Sequence, residues 1–269
     1  MSQTMPKNTF KIATWNVNSL RVRLPHVIAW IREKKPDVLA LQEIKMTDED
    51  FPHDAFHDIG YDAISSGQRT YNGVATLLNK NSSIDHTHEI IRDFPLFEDA
   101  QRRVLCLTIG DIRIINVYVP NGQAVTSPKY QYKLTWLNHL MSFIKQELFK
   151  HSRLVVLGDF NIAPQELDVH DPSLWNGQVL FSEAERNAFQ SLLRLGLSDC
   201  FRLLHPNEQA FSWWDYRMGA FRRNMGLRID HILVSNDLAS SCIQCEIDKV
   251  PRTLERPSDH APVLASFQL

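Results

Sequence analysis

Cysteine is scarce: the 269-residue chain has four, at positions 106, 200, 242 and 245. A small secreted protein held by disulfides carries a denser set. Cys242 and Cys245 form one C-x-x-C, but no second pair stands at metal spacing, so reduced thiols in a cytoplasmic protein are expected rather than a zinc site. No stretch approaches 18 consecutive apolar residues, which leaves no candidate membrane helix and no membrane partner. Met1 to Asn8 is polar and no apolar segment follows it, which argues against a signal peptide. Neither G-x-G-x-x-G nor a Walker A motif is present, so dinucleotide and ATP chemistry are not indicated. Ten Gly and 13 Pro exclude fibrous and low-complexity classes. Charge of one sign is also lacking. Lys plus Arg number 29 against 31 Asp plus Glu, a net charge of -2, which excludes a bulk-basic protein but not one basic face.

What is present is an ordinary globular composition, 43% hydrophobic and 22% charged, enough for a sizeable core. Short apolar runs at Phe10–Val17, Asp37–Gln42, Val74–Leu78, Val104–Ile109, Ile112–Val119, Leu154–Leu157, Ile229–Val234 and Val263–Phe267 read as strands. Gly110-Asp111 predicts a hairpin turn. Val27, Ile28 and Ile31 predict a helix ended by Pro36, and Leu134, Leu137, Met141, Ile144 and Leu148 a longer one. Ser182 and Glu185 form a capping box before Phe189, Leu192 and Leu193, with Gly196 as the stop. Segments 45–60, 120–130, 163–181 and 215–228 read as loops. Hairpins mixed with strand–helix units predict an α/β domain with mixed sheets over 1–269, with 1–9 as a flexible extension.

Almost every apolar strand ends in carboxylates, amides or histidine. The ends are Trp15-Asn16-Val17-Asn18, Leu41-Gln42-Glu43, Asn116 to Asn121, Gly158-Asp159-Phe160-Asn161, Arg228-Ile229-Asp230-His231 and Ser258-Asp259-His260. Alternation would point Asn16 with Asn18, Asn116 with Tyr118, and Asp159 with Asn161. If these ends converge, carboxylate oxygens suit a hard cation such as Mg²⁺, and the added histidine, phenol and amides suit an anionic substrate. Phosphodiester hydrolysis fits. Taken singly, each motif is commonplace: a lone Asp-His is more often a surface hydrogen bond, and Gly-Asp after a strand is often only a turn. The joint occurrence in order along the chain gives the pattern its weight.

The combination, from Lys11 to Phe267, resembles the exonuclease III family of DNA-repair nucleases within the endonuclease/exonuclease/phosphatase superfamily. Leu41-Gln42-Glu43, Gly158 to Asn161 and Ser258-Asp259-His260 mark the superfamily. Trp15 to Arg21, Tyr118 to Gly122, Phe211 to Tyr216 and Gly226 to Asp230 mark the branch. The resemblance implies a four-layer α/β sandwich, two packed mixed β-sheets flanked by helices. It implies a monomeric enzyme that uses Mg²⁺, with Mn²⁺ as substitute, to cleave double-stranded DNA 5′ to abasic sites. It also implies 3′–5′ exonuclease and 3′-phosphatase or phosphodiesterase action on blocked 3′ ends. By the same resemblance Glu43 is the principal metal ligand, with Asn18, Asp159, Asn161 and Asp259 at or beside the metal. Asp159 orients or deprotonates the attacking water, Asn161 holds that water or the phosphate, and Tyr118 and Asn16 belong to the phosphate site. His260 binds phosphate and is oriented by Asp230. Two bases remain open: Asp159, or the His260–Asp230 pair acting with a metal-bound hydroxide.

Cations that would meet DNA phosphates are Arg21, Arg23, Lys45 and Arg103, and the run Arg217, Arg222, Arg223, Arg228. The 215–228 loop interleaves Arg with aromatics and Met218, a mixture suited to entering a groove. Tyr71, Asn72 and Gly73 match a backbone-contact loop, and Asn121 a further contact. Trp213, Leu227 and Ile229 would wall a pocket for the extruded abasic sugar. Leu227 stands where some relatives carry Trp, and the segment through Asp168-Val169-His170-Asp171-Pro172 departs from the family pattern. A bulky residue there would obstruct the pocket and leave mainly 3′-end trimming. Two other readings compete: a superfamily phosphoesterase acting on lipid, inositol phosphate or RNA, and a non-catalytic DNA-binding module.

Overall fold

A computed structural model of the chain describes residues 9–82, 87–95 and 97–269. Among them, twelve strands form two six-stranded sheets. In chain order the strands are β1 Thr9–Asn16, β2 Val38–Gln42, β3 Tyr61–Ser66, β4 Val74–Asn79, β5 Thr87–Ile91 and β6 Val104–Ile109. They continue with β7 Ile112–Tyr118, β8 Leu154–Asp159, β9 Leu197–Asp199, β10 Asp230–Ser235, β11 Cys242–Ile247 and β12 Val263–Gln268. The helices are α1 Leu20–Lys34, α2 His53–His57, α3 Pro128–Lys150, α4 Pro172–Trp175, α5 Glu183–Leu193, α6 Cys200–Leu204 and α7 Asn236–Ala239.

One sheet runs β11-β12-β1-β2-β4-β3 and the other β5-β6-β7-β8-β10-β9. Each has a single parallel pair at its centre, β1/β2 and β7/β8, with antiparallel neighbours on both sides. A parallel pair needs a crossover, and α1 and α3 supply them. Strand alternation then sorts the side chains into layers. Ile12, Ile114, Leu157, Ile232 and Ala265 fill the space between the sheets. Ala13 and Trp15 face the other way, onto Val27, Trp30 and Ile31 of α1. Ile115, Val117 and Val156 face Trp136, Leu140 and Ile144 of α3 and Phe189 of α5. The result is the four-layer α/β sandwich.

The topology brings the strand ends together. Strands β1, β2, β7 and β8 finish at one edge with Asn16, Gln42, Tyr118 and Asp159. Strands β10 and β12 run the opposite way, so Asp230 opens β10 at that edge, directly across from Asp159. Asp259 and His260 immediately precede β12. Near this edge the two sheets are joined by polar groups. Gln42 Nε2 donates to Asn116 Oδ1 at 2.8 Å, and Asn116 Nδ2 to the carbonyls of Ala75 and Leu41 at 2.9 and 3.2 Å. Gly158 is required by close approach: a Cβ there would lie 1.9 Å from the Val117 carbonyl oxygen.

The structure amends several expectations. The loops at 45–60 and 163–181 contain α2 and α4. Strands β3, β5, β9 and β11 have no counterpart among the apolar runs of the sequence, and all four lie at sheet edges. An edge strand buries less and needs no continuous apolar run; Thr87–Ile91 is almost wholly exposed. Thr9 is not part of a flexible extension, since it pairs with Gln268 in β1. The rest of that expectation, on residues 1–8, lies outside the described residues. Asn18 and Asn161 lie beyond their strands with φ of 43° and 50°, so turns and not alternation aim them.

Candidate active site

The Asn16 amide is the pivot of the cluster. Its Nδ2 donates to Glu43 Oε1 and to Asp159 Oδ2, both at 2.9 Å. Its Oδ1 accepts the backbone N–H of Asn18 at 3.0 Å. Asp159 also accepts the backbone N–H of Asn161 at 2.8 Å and its side-chain amide at 3.2 Å. His260 presents Nδ1 to Asp230 Oδ2 at 2.9 Å, and its Nε2 lies 3.8 Å from Asp159 Oδ2. Ser212 Oγ donates to the same Asp230 oxygen at 2.6 Å. Ligand-capable atoms of Glu43, Asp159 and His260 all fall within 4.8 Å of one another.

Beside this trio, Asn18 Nδ2 and Trp213 Nε1 each donate to Asp259 at 2.9 Å, one per oxygen. Lys45 Nζ bridges Glu43 Oε2 at 2.8 Å and Asn18 Oδ1 at 2.5 Å. The Tyr118 phenol stands beside Glu43. Asn121 Nδ2 donates to Asn161 Oδ1 at 3.0 Å. Every group assigned from the sequence to catalysis or the metal therefore meets at one edge.

Burial sets the electrostatics. It pushes Asp159 up to about 7, with Asp230 adding to the rise and His260 opposing it. For His260 burial favours the neutral ring, but the Asp230 and Asp159 carboxylates outweigh it and hold it at about 10. Burial raises the Tyr118 phenol well above its usual range, and Glu43 adds to this. Asp259 is held below the usual carboxylate range: burial raises it, but His260, Trp213 and Asn18 prevail. An imidazolium offers no lone pair, so a protonated His260 can donate to an anion but cannot ligate a cation. Glu43 and Asp159 are the donors that fit a hard cation, and a buried carboxylate raised to about 7 is a group that a cation would stabilise in its charged form.

The sequence of residues 13–260 matches the endonuclease/exonuclease/phosphatase family. The chain belongs to that family. Exodeoxyribonuclease III of Haemophilus influenzae is 38% identical over 96% of this chain and 100% of its own length. The 3′ phosphatase NExo from Neisseria, solved with a product DNA hairpin, is 45% identical with a TM-score of 0.93, covering 97% of this chain and 100% of that one. An AP endonuclease from Archaeoglobus fulgidus is 40% identical with a TM-score of 0.91, again covering 97% and 100%. These relatives put the chain in the exonuclease III branch. Nuclease chemistry of the family is metal-dependent, and the Glu43–Asp159 donors suit it.

The outlying residues divide. Arg21, Tyr71, Arg217, Met218, Arg222 and Arg223 are exposed around the edge. Arg217 pairs with Asp215, and Met218 is held out at φ 58°. Arg228 is a correction. It is 1% exposed, with Nε on Asp168 at 2.7 Å and Nη1 on Asp199 at 2.8 Å, so it cannot reach a phosphate. Arg23 acts as a strut, spending its donors on Asn18 O, Arg256 O, Pro257 O and Tyr216 Oη. Arg103 is buried over the Tyr118 ring and bonds Gln101 and Tyr118 O. Asn72 and Gly73 are buried too, leaving Tyr71 as the exposed member of that loop.

The sugar-pocket walls are a second correction. Leu227 and Ile229 are buried under Ala163, Val169 and Phe181, because Val169 pairs with Leu227 in an isolated antiparallel bridge. The open apolar pocket, about 260 Å³, is instead lined by His170, Trp175, Trp213, Met218 and Met225. Its wall Trp175 was missed, although a lone Trp in a polar loop is a signal in the sequence. A polar groove of about 750 Å³ adjoins Tyr118 and Asn121 and includes Tyr71, Gln123 and Lys129. Gln123 and Lys129 carry no motif that would have marked them.

Proposed function

We propose that this chain is a DNA-repair phosphoesterase that uses Mg²⁺, with Mn²⁺ able to replace it. Its substrates in this reading are double-stranded DNA with abasic sites or blocked 3′ ends. The observation that carries the reading is the meeting of Glu43, Asp159 and His260 within 4.8 Å at the edge shared by both sheets. The neighbouring polar groove and apolar pocket give room for a strand of DNA.

Glu43 and Asp159 would hold the cation, with Asn18 and Asp259 beside it. When bound, the cation supplies charge stabilisation at the non-bridging phosphate oxygens. His260 donates its Nε2 proton as a hydrogen bond to the phosphate while Asp230 holds the ring. Because His260 is held protonated, it cannot accept the water's proton. Asp159 is left as the base, held by Asn16 and Asn161 and kept ionised, able to take a proton, when the cation is bound. Asn161 and Asn121 orient water and phosphate by their amides, Asn16 fixes Asp159, and the Tyr118 phenol donates. Arg21, Lys45, Tyr71, Arg217, Met218, Arg222 and Arg223 hold the duplex. Action as a monomer is part of the same reading. Among the described residues no helix is long and apolar enough to cross a membrane, and cytoplasmic placement is part of the same reading.

A second reading, 3′-end trimming with weak incision at abasic sites, is favoured by one observation. His170 and Trp175 line the apolar pocket beside Trp213, and Leu227 and Ile229 are covered. Two oligonucleotides assayed with Mg²⁺ or with EDTA test both readings. One carries an internal abasic analogue and the other a 3′-phosphate. Cleavage of both with Mg²⁺ supports the first, and cleavage of the 3′-phosphate alone the second. No Mg²⁺-dependent release from either sinks the assignment.

A further inference from the structure

Lys133 lies on α3 with its side chain fully buried, on the face that packs inward. A lysine ammonium has three protons to donate. Here they go to Glu185 Oε1 at 2.5 Å, to the Asn161 carbonyl at 2.6 Å and to the Asn121 carbonyl at 3.2 Å. The two asparagines are themselves joined, Asn121 Nδ2 to Asn161 Oδ1 at 3.0 Å. Glu185 is fixed by the capping box of α5, accepting from the backbone N–H and Oγ of Ser182 and the N–H of Leu180. Ser182 Oγ in turn meets Tyr130 Oη of α3 at 2.6 Å. A structural pair needs only Lys133 and Glu185. The ammonium instead has two further contacts, both to backbone carbonyls of residues placed beside the reacting phosphate.

Those carbonyls come from different segments, the turn after β7 and the turn after β8. Asn161 has φ 50°, so its peptide orientation needs support from outside the turn. Lys133 supplies it from beneath, while the amide of Asn161 reaches Asp159 and the Val119 carbonyl above. A Cβ on Gly122 would come within 3.2 Å of the Lys133 stem, so the first turn is moulded closely over that side chain.

We propose that Lys133 is a positioning residue of the phosphoesterase site, clamping the Asn121 and Asn161 carbonyls so that the Asn161 amide is held on Asp159 and the Asn121 amide on Asn161, beside the scissile phosphate. This rests on the function proposed above. A placement error of the order of 1 Å in such groups costs about 100-fold in rate.

The test uses Lys133→Met paired with Glu185→Gln, which removes both buried charges and keeps an acceptor in the capping box, so that neither charge is left unpaired. Melting temperature, kcat and KM on the 3′-phosphate oligonucleotide are measured beside the wild type and Lys133→Arg. The expected result is a folded double variant with kcat down about 100-fold and KM nearly unchanged, and partial recovery of kcat in Lys133→Arg. A folded double variant with wild-type kcat overturns the proposal, leaving Lys133 as half of a structural pair. The side-chain amide resonances of Asn121 and Asn161 give a readout that needs no turnover. They should shift in the double variant, and unshifted resonances also overturn it. A wild type inactive on every DNA substrate strikes the function, while these resonances still decide the clamp.

Discussion

The Nδ1 of His260 lies 2.9 Å from Asp230 Oδ2, and the other ring nitrogen faces Asp159 across 3.8 Å. Two carboxylates on one buried imidazole hold its proton in place, to about 10. The folded state therefore binds that proton more tightly than the unfolded chain, whose histidine titrates near 6.5. The linked stability is fully present below that value and is lost as pH rises towards about 10. Asp159 acts in the same direction, because its raised pKa makes the folded state retain a proton up to about 7. The metal-free protein should accordingly lose stability from mildly acid to alkaline pH. Asp230→Asn should flatten that loss and return the ring towards its ordinary titration. Nitrogen-15 NMR of the ring reads this directly: an imidazole already neutral at pH ~7.5 in the metal-free wild type would contradict the account.

Glu43 and Asp159 are tied to one amide but have different parts in the proposed reaction. Glu43→Gln keeps the hydrogen bond from Asn16 and removes the charge, so activity should demand more Mg²⁺ while remaining recoverable at high concentration. Asp159→Asn removes the base as well, and the loss, of the order of 1000-fold or more, should persist at saturating Mg²⁺. Metal titrations of the two variants that superimpose would remove the distinction between ligand and base.

The parts of the site that could be read from sequence were the ends of central strands. There an apolar run is obligatory and the polar residue ending it stands out, as with Val155-Val156-Leu157-Gly158-Asp159. Edge strands such as Thr87–Ile91 gave no such contrast. Arg228 misled because its fate depends on Asp168 and Asp199, which nothing local connects to it. Lys133 could have been noticed. It falls on the same helical face as Tyr130, Leu137 and Leu140, and a charge on an apolar stripe needs a buried partner.

The two kinds of arginine on the 215–228 segment should respond differently to mutation. Arg228→Met leaves Asp168 and Asp199 short of a buried cation, a loss of about 3–5 kcal/mol, and should leave the salt dependence of duplex binding unchanged. Replacing both Arg222 and Arg223 by Ala should hardly alter melting. It should lessen the slope of log affinity against log salt by ~0.9 for each phosphate contact removed. Thermal melts and binding titrations at several salt concentrations separate the two. A shallower slope in Arg228→Met would restore it to the DNA surface.

His170 offers a direct handle on substrate choice. Its backbone N–H donates to the Gly226 carbonyl at 3.1 Å, which holds the segment over Leu227, and its ring stands edge-on to Trp175 with centroids 6.3 Å apart. The ring thus lines the apolar pocket together with Trp213, Met218 and Met225. Trimming it in His170→Gly should admit a sugar flipped out of the duplex while leaving the phosphate site intact. Incision at an internal abasic analogue should rise relative to 3′-phosphate removal. Steric discrimination in pockets of this kind amounts to 10- to 200-fold, and a change of about 10-fold in the ratio is expected. The glycine costs some backbone entropy, so the comparison belongs well below the melting temperature of the variant. An unchanged ratio of the two activities, in a folded variant, would mean that the pocket wall does not govern which DNA end or lesion is cut.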